Sequence, residues 1–294
     1  MRSTPVQQQN SMGKAAFLLG LSMFVSNAYS HGESHAPNAA TRNDSRPASE
    51  TFWTALPAIS PGGGRPERGQ ASLVARNLSA PELLVYSPND PELPAKLTPE
   101  NNRWLVSPSS PDKGGHHWLI AREVRGNTIV TATTAWTFPA KGDAPTRLLK
   151  QQRSGLEIVP DHIPEHGGMR EGEDWAFHVR YDGAPLAGTG VRFETESGTR
   201  SRVITDAQGV AHIAFPRDID PAEIDPQAGA TRTRKGFVLA AEHQHGETHH
   251  LSAFNFFYYP DLMRERSLSG GFGFLALGIL LALPLLRRKE TGHA

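Results

Sequence analysis

The chain has 294 residues, and its 30 Lys and Arg balance 30 Asp and Glu, so no basic field marks it for nucleic acid. It has no cysteine, which excludes disulfides, thiolate metal sites and thiol catalysis. Its 28 glycines and 23 prolines suit short strands joined by turns, and its length suits two domains of roughly 100 residues.

Residues 1–30 read as a secretory signal. Arg2 and Lys14 are basic, and Ala15–Val25 is an apolar run of 11 residues, too short to span a bilayer. Small residues follow, fitting cleavage after Ala28 or after Ser30. After Ala28 the mature chain begins Tyr29-Ser30-His31, whose amine, two amide nitrogens and third-position imidazole make a square-planar set for copper(II) or nickel(II). After Ser30 it begins at His31, whose own amine and ring can chelate. The bland alternative is a disordered leader that happens to hold His31 and His35.

Residues 31–69 are rich in Ser, Pro, Asn, Ala and Gly and read as a disordered linker, with Phe52-Trp53 pinned to the first domain. Residues 70–138 form an N-terminal β domain. Leu73–Ala75, Leu83–Tyr86 and Arg103–Val106 are its short strands, and residues 117–138 are a hairpin turning near Gly126-Asn127. Residues 139–154, polar and basic, read as a connector. Residues 155–260 form a second β domain that opens at Leu156–Pro160. In Asp174–Tyr181 strict alternation points Trp175, Phe177, Val179 and Tyr181 inward and His178 and Arg180 outward. Val203–Thr205 and Val210–Phe215 read as a hairpin about the Asp206–Gly209 turn. About seven strands at short spacing predict a β-sandwich of immunoglobulin-like type, so the fold class is all-β with two sandwiches.

The last β element is the most informative. Phe237–His245 runs out to Gly246, and Thr248–Tyr259 returns. Its outer end carries His243, His245, His249 and His250. If the loop is Gly246-Glu247, then His243 faces His250, and His243, His245 and His250 share one face, where imidazoles can take zinc, nickel or copper. A loop of His245-Gly246 would break that set. Solvated residues at a hairpin tip are the competing reading. His162 and His166 are four apart, but Pro164 and Gly167-Gly168 forbid a helix, so they read as loop residues, with a second-ligand role the lesser alternative. His116 and His117 read the same way, and His178 and His212 as exposed strand positions.

Residues 261–267 are juxtamembrane, and 268–286 form an apolar helix of 19 residues, long enough to span. Arg287-Arg288-Lys289 in the tail, 287–294, stays cytoplasmic and leaves both β domains outside, so the expected location is a cell or inner membrane, single-pass, with a periplasmic body. The run also resembles a sorting signal removed by an intramembrane protease.

Leu156–Pro160, Asp182–Gly188, Thr205–Gly209 and Ala240–His243, in that order, resemble the domain of unknown function 4198 family, over roughly residues 114–260. Some of its members are labelled periplasmic components of nickel or cobalt uptake, and the C-terminal anchor is similar to that of a membrane-attached branch. The resemblance implies an extracytoplasmic sandwich and a metal transporter or receptor as partner. It brings no ligand residues. The sequence carries no nucleophile elbow, phosphate loop, zinc-protease helix or dinucleotide fingerprint, so no enzyme is expected. The expectation is a membrane-tethered binding protein for nickel, cobalt, zinc or copper through His243, His245, His249, His250 and His31. The alternative is a non-catalytic interaction module that holds a partner at the membrane.

Overall fold

Period-two runs of β-branched and aromatic residues make strands almost throughout the region that a computed structural model describes: residues 52–63, 69–88, 90–109, 115–139, 145–164, 168–224, 233–261 and 278–279. The expected signal, His31, His166, the tail and the expected span apart from 278–279 lie outside those residues. Among the described residues no helix is long and apolar enough to cross a membrane.

In chain order the strands are β1 (Ala58–Pro61), β2 (Ala71–Arg76), β3 (Glu82–Tyr86), β4 (Ala95–Leu97), β5 (Trp104–Val106), β6 (His116–Arg125) and β7 (Thr128–Thr137). A short helix, α1 (Thr146–Lys150), precedes β8 (Leu156–Pro160), β9 (Met169–Arg170), β10 (Asp174–Tyr181), β11 (Ala184–Pro185), β12 (Gly190–Thr195), β13 (Arg200–Ile204), β14 (Val210–Ala214), β15 (Lys235–His245) and β16 (Thr248–Tyr259).

A long sheet in the order β13-β12-β15-β16-β7-β6-β3-β4 forms the central wall, with β9 also on β16. Its middle joint is parallel: β16 runs beside β7 from His249 opposite Thr128 to Phe254 opposite Thr133. The strands of 70–138 and of 155–260 therefore share one sheet. A smaller sheet, β1-β2-β5, covers one face of the wall, where Leu73, Trp104 and Val106 meet Leu83, Leu119, Ala121 and Ala132. A second, built on β10 with β8, β11 and β14, covers the other, where Ile158, Phe177, Val179 and Ile213 meet Trp118, Phe193, Phe237, Leu239 and Phe254. Successive residues on β6 and β7 enter opposite cores, Trp118 and Ile120 one and Leu119 and Ala121 the other, which is why Trp118–Ala121 is apolar without alternation.

Three stretches depart from the sequence reading. Ala58–Pro61, inside the expected linker, is β1, and Leu56 and Ala58 cover Val238, Ala240 and Ala253 on the wall. The Asn255 amide both donates to the Ile59 carbonyl (2.8 Å) and accepts from the Ile59 N–H (2.9 Å), as a strand neighbour would. In the expected connector, Leu148, Leu149 and Arg153 are buried. Finally, β13 and β14 are not a hairpin. β13 pairs with β12 in the wall, whereas β14 pairs with β10 in the covering sheet, so the Asp206–Gly209 turn carries the chain between layers. Asp206 Oδ1 fixes that turn by accepting from the N–H groups of Gln208 and Val210.

Candidate functional site

The β15–β16 hairpin adopts the register with Gly246-Glu247 as its loop: His243 lies opposite His250, Gln244 opposite His249 and His245 opposite Thr248. Gly246 has φ +57 and Glu247 does not join it at positive φ, the pattern of a type II′ turn. The β6–β7 turn at Gly126-Asn127 repeats this, and the His249 N–H donates to the Asn127 carbonyl (2.9 Å), so the two turns sit side by side at one rim.

His243, His245 and His250 share a face, and Tyr181, the last residue of β10 on the opposing sheet, reaches them. Its ring centroid lies 4.7 Å from His243, 5.1 Å from His245 and 5.0 Å from His250, and its hydroxyl is 3.4 Å from His250 Nε2. The three imidazoles thus gather around a phenol rather than around a common point, with the rings of His243 and His245 6.4 Å apart. His249 is on the other face, 3.3 Å from Glu242 Oε2, and does not join them. Among the described residues no group of three or more His, Asp or Glu is placed to hold a metal ion. His250 is 5% exposed, and burial, the His243, Arg122 and His245 charges together hold its pKa below the ordinary imidazole value, against an opposing pull from Asp182.

Beside His250 is a network that the sequence reading missed. Glu157 on β8 lies opposite Arg180 on β10 and accepts from its Nε at 2.6 Å. It also meets Arg153 at 3.3 Å, and the side chains of Arg153 and Glu157 are 3% and 4% exposed. The guanidinium of Arg153 lies over the rings of Tyr86 (4.8 Å) and Trp118 (5.5 Å). Both arginines donate to carbonyls at the C-terminal end of α1, Arg153 to Leu148 and Arg180 to Leu149, groups that a helix end leaves without partners. The one sequence signal for this network is a glutamate inside an otherwise apolar strand.

The remaining histidines fall elsewhere. His178 Nε2 is 3.1 Å from Asp161 Oδ1, and His162 Nδ1 is 3.6 Å from its Oδ2, on opposite oxygens of one exposed carboxylate. These two contacts hold Asp161 below its ordinary pKa. His162 stacks on Trp175 at 4.3 Å, and His212 is exposed. His117 is structural: it is 1% exposed, its Nε2 accepts from the Ser109 N–H (3.2 Å), and its Nδ1 is 3.0 Å from the Gly115 carbonyl. That pattern requires a neutral ring protonated at Nδ1.

Burial is the main reason that His117, like His250, titrates below the ordinary value. A depressed folded-state pKa means the neutral ring is favoured by folding. The associated stability is complete above the unfolded value near about 6.5 and is lost as pH falls through the folded value. Denaturant midpoints are therefore expected to fall between about pH 7 and about pH 5, by at most about 1.4 kcal/mol per pH unit for each histidine. A flat profile across that window in wild type would contradict this account, and His117→Gln should reduce the slope to the part that His250 contributes.

No family model matches the chain, and no curated protein matches it. Among solved structures, a segment of two fibronectin type-III domains from chicken tenascin is similar at 10% identity, over 68% of this chain and 97% of that one, with a TM-score of 0.20. A likeness at that level carries no argument about function.

Proposed function

We propose that the chain is a non-catalytic binding protein working outside the cytoplasm, tethered to a membrane by 268–286, and that the outer end of the β15–β16 hairpin captures a divalent transition metal for an uptake system. Its frame, on this reading, is two immunoglobulin-like sandwiches that share the long sheet as a common wall. The resemblance to the domain of unknown function 4198 family favours nickel or cobalt among the metals imidazole accepts, and a transporter or receptor as the recipient. The observation that carries the proposal is the placement of His243, His245 and His250 on one face at an open rim.

Two imidazoles on one tetrahedral ion, with metal–nitrogen bonds of about 2.1 Å, have ring centroids about 5 Å apart. The rings of His243 and His245 stand 6.4 Å apart with Tyr181 beside both, so capture requires a side-chain closure of roughly 1 Å and withdrawal of the phenol. Tyr181 then acts as a plug that the ion displaces. His31, in the leader, is a separate chelating position in this reading, and His249, on the opposite face beside Glu242, takes no part in capture at the rim.

The second reading, an interaction module that docks a partner at the same rim, is favoured by that phenol. A tyrosine ring ringed by three imidazoles is a ready aromatic contact surface as it stands. Nickel titration of the full chain in detergent separates the two. Wild type is expected to bind one equivalent more than the His243→Gln/His250→Gln variant, and Tyr181→Ala is expected to bind that equivalent about tenfold more tightly, by removing about 1.4 kcal/mol of plug displacement. Equal stoichiometry in wild type and the double variant overturns metal capture at the hairpin and leaves the docking module.

A further inference from the structure

Between β8 and the β3–β6–β7 face of the wall lies a cavity of about 40 Å³, bordered by Tyr86, Arg122, Thr131, Arg153, Glu157 and His250 among others. It reaches the surface beside Ser154, which is exposed. One water needs about 10–15 Å³ of such space, so the cavity has room for a small polyatomic group.

We propose that this cavity is a binding site for a small monovalent anion, of chloride to formate size.

The first argument is charge. Arg122, Arg153 and Arg180 converge on this layer, and the carboxylates facing them are Glu157, shared by Arg153 and Arg180, and Asp182, whose Oδ1 accepts from the Gly155 N–H at the rim. Glu82 stands opposite Arg122 on β3 but is paired with Lys96. Among the described residues the Arg122 side chain makes neither a hydrogen bond nor an ion pair. Its charge is instead felt at Tyr86 and at His250, which lie on either side of it. Three guanidinium groups against two carboxylates leave one positive charge, which a single monovalent anion cancels. A dianion such as sulfate would overshoot.

The second argument is unmet hydrogen bonding. The Nε–H of Arg153 is buried and has no acceptor, although the other nitrogens of the same guanidinium are bonded to Glu157, Gln151 and Leu148. Trp118 Nε1, beneath that guanidinium, and Ser252 Oγ, one strand row from His250, are also buried without partners. An orphaned buried donor costs about 1–3 kcal/mol, and of these three groups Arg153 lines the cavity itself, so an acceptor is expected there. Water would supply an acceptor but not the missing negative charge, and an uncompensated charge in a poorly solvated layer is the costlier deficit. Guanidinium is weakly hydrated and suits chloride and carboxylate alike. The cavity borders His250, which the metal reading also uses, but the anion proposal rests on Arg122 and Arg153, and its test is run without added metal.

The test uses the full chain in detergent at constant pH and ionic strength, with sodium chloride replacing sodium gluconate, whose anion is too large to enter. Thermal unfolding should shift upward with chloride and saturate, following one-site linkage. Arg122→Gln should fold, because the Arg122 side chain bonds to no described residue and the backbone ladder of β6 is kept. Its midpoint in gluconate should lie at or above the wild-type value, because the uncompensated charge is gone, and its chloride binding should weaken at least tenfold. Formate should compete, seen as narrowing of the excess ³⁵Cl NMR line width. An identical midpoint in chloride and gluconate means that water fills the cavity and overturns the proposal. An equal chloride response in wild type and Arg122→Gln assigns the effect to the surface and overturns it as well.

Discussion

Replacing Glu157 with alanine is expected to lower folding stability by about 3–5 kcal/mol, the usual cost of removing one partner of a buried ion pair. The residue is 3% exposed, and its two oxygens serve both Arg153 and Arg180. Without it, Arg153 keeps only backbone carbonyls as acceptors in a layer that already holds Arg122. Desolvation already makes the charged form of Arg153 harder to hold, for its pKa is below the ordinary arginine value despite Glu157. The penalty is therefore one of stranded charge rather than of lost contact area. The distinguishing variant is Arg153→Met/Glu157→Met, which replaces both partners of the pair with apolar groups of similar volume. It should recover most of the loss, although Arg180 is then held by Leu149 and Gln151 carbonyls alone. Urea midpoints of the three proteins at pH 7 give the comparison. A loss below about 1 kcal/mol for Glu157→Ala would place the pair in water-like surroundings and contradict the burial described here.

Phe254→Ala is expected to cost a similar amount, about 3–5 kcal/mol, for a different reason. Phe254 is fully buried on β16, stacked on Trp118 at 5.5 Å and in contact with Phe177 at 5.9 Å and Phe237 at 6.1 Å. Trp118 belongs to the first half of the chain and Phe177 and Phe237 to the second, so the ring fills the point where the halves share a core. Truncation leaves a cavity that four surrounding strands cannot all close. The loss should appear as one transition, with Trp118 and Trp175 reporting the same midpoint. Separate midpoints for a first and a second half would show that the shared sheet does not couple them.

The sequence made local pairings readable and long-range ones opaque. Gly246 and the alternation around it mark the β15–β16 turn because both are local, but they leave a loop of Gly246-Glu247 or of His245-Gly246 open, and the structure adopts the first. The β6–β7 hairpin follows from Gly126-Asn127 in the same way. Nothing local marks the parallel β16–β7 joint, which brings together residues more than a hundred positions apart and needs no turn of its own. The only trace was that Ile129–Ala135 does not alternate, the expected mark of a strand buried on both faces. The Asp206–Gly209 turn was legible as a turn but not as a crossing between sheets, since a hairpin and a crossing turn can use the same residues. Ala58–Pro61 was hidden among prolines and glycines, and its strand character comes from Asn255 and β2 rather than from its own propensity. At the site, the shared face of the three histidines was legible for one of the two possible registers, while Tyr181 among them was not, because it arrives from the opposing layer.

The parallel joint also has a mechanical meaning. If β16 leads to a tether, as proposed, any pull from the membrane enters the body along that strand. β16 is held on one side by eleven residue pairs to β15 and on the other by six to β7. A load along the strand axis is then borne by both ladders at once in shear, and none of the rungs can be peeled away singly. The strand at the exit is the one most deeply stitched into the sheet, which makes it a rigid strut between the anchor and the histidine-bearing rim.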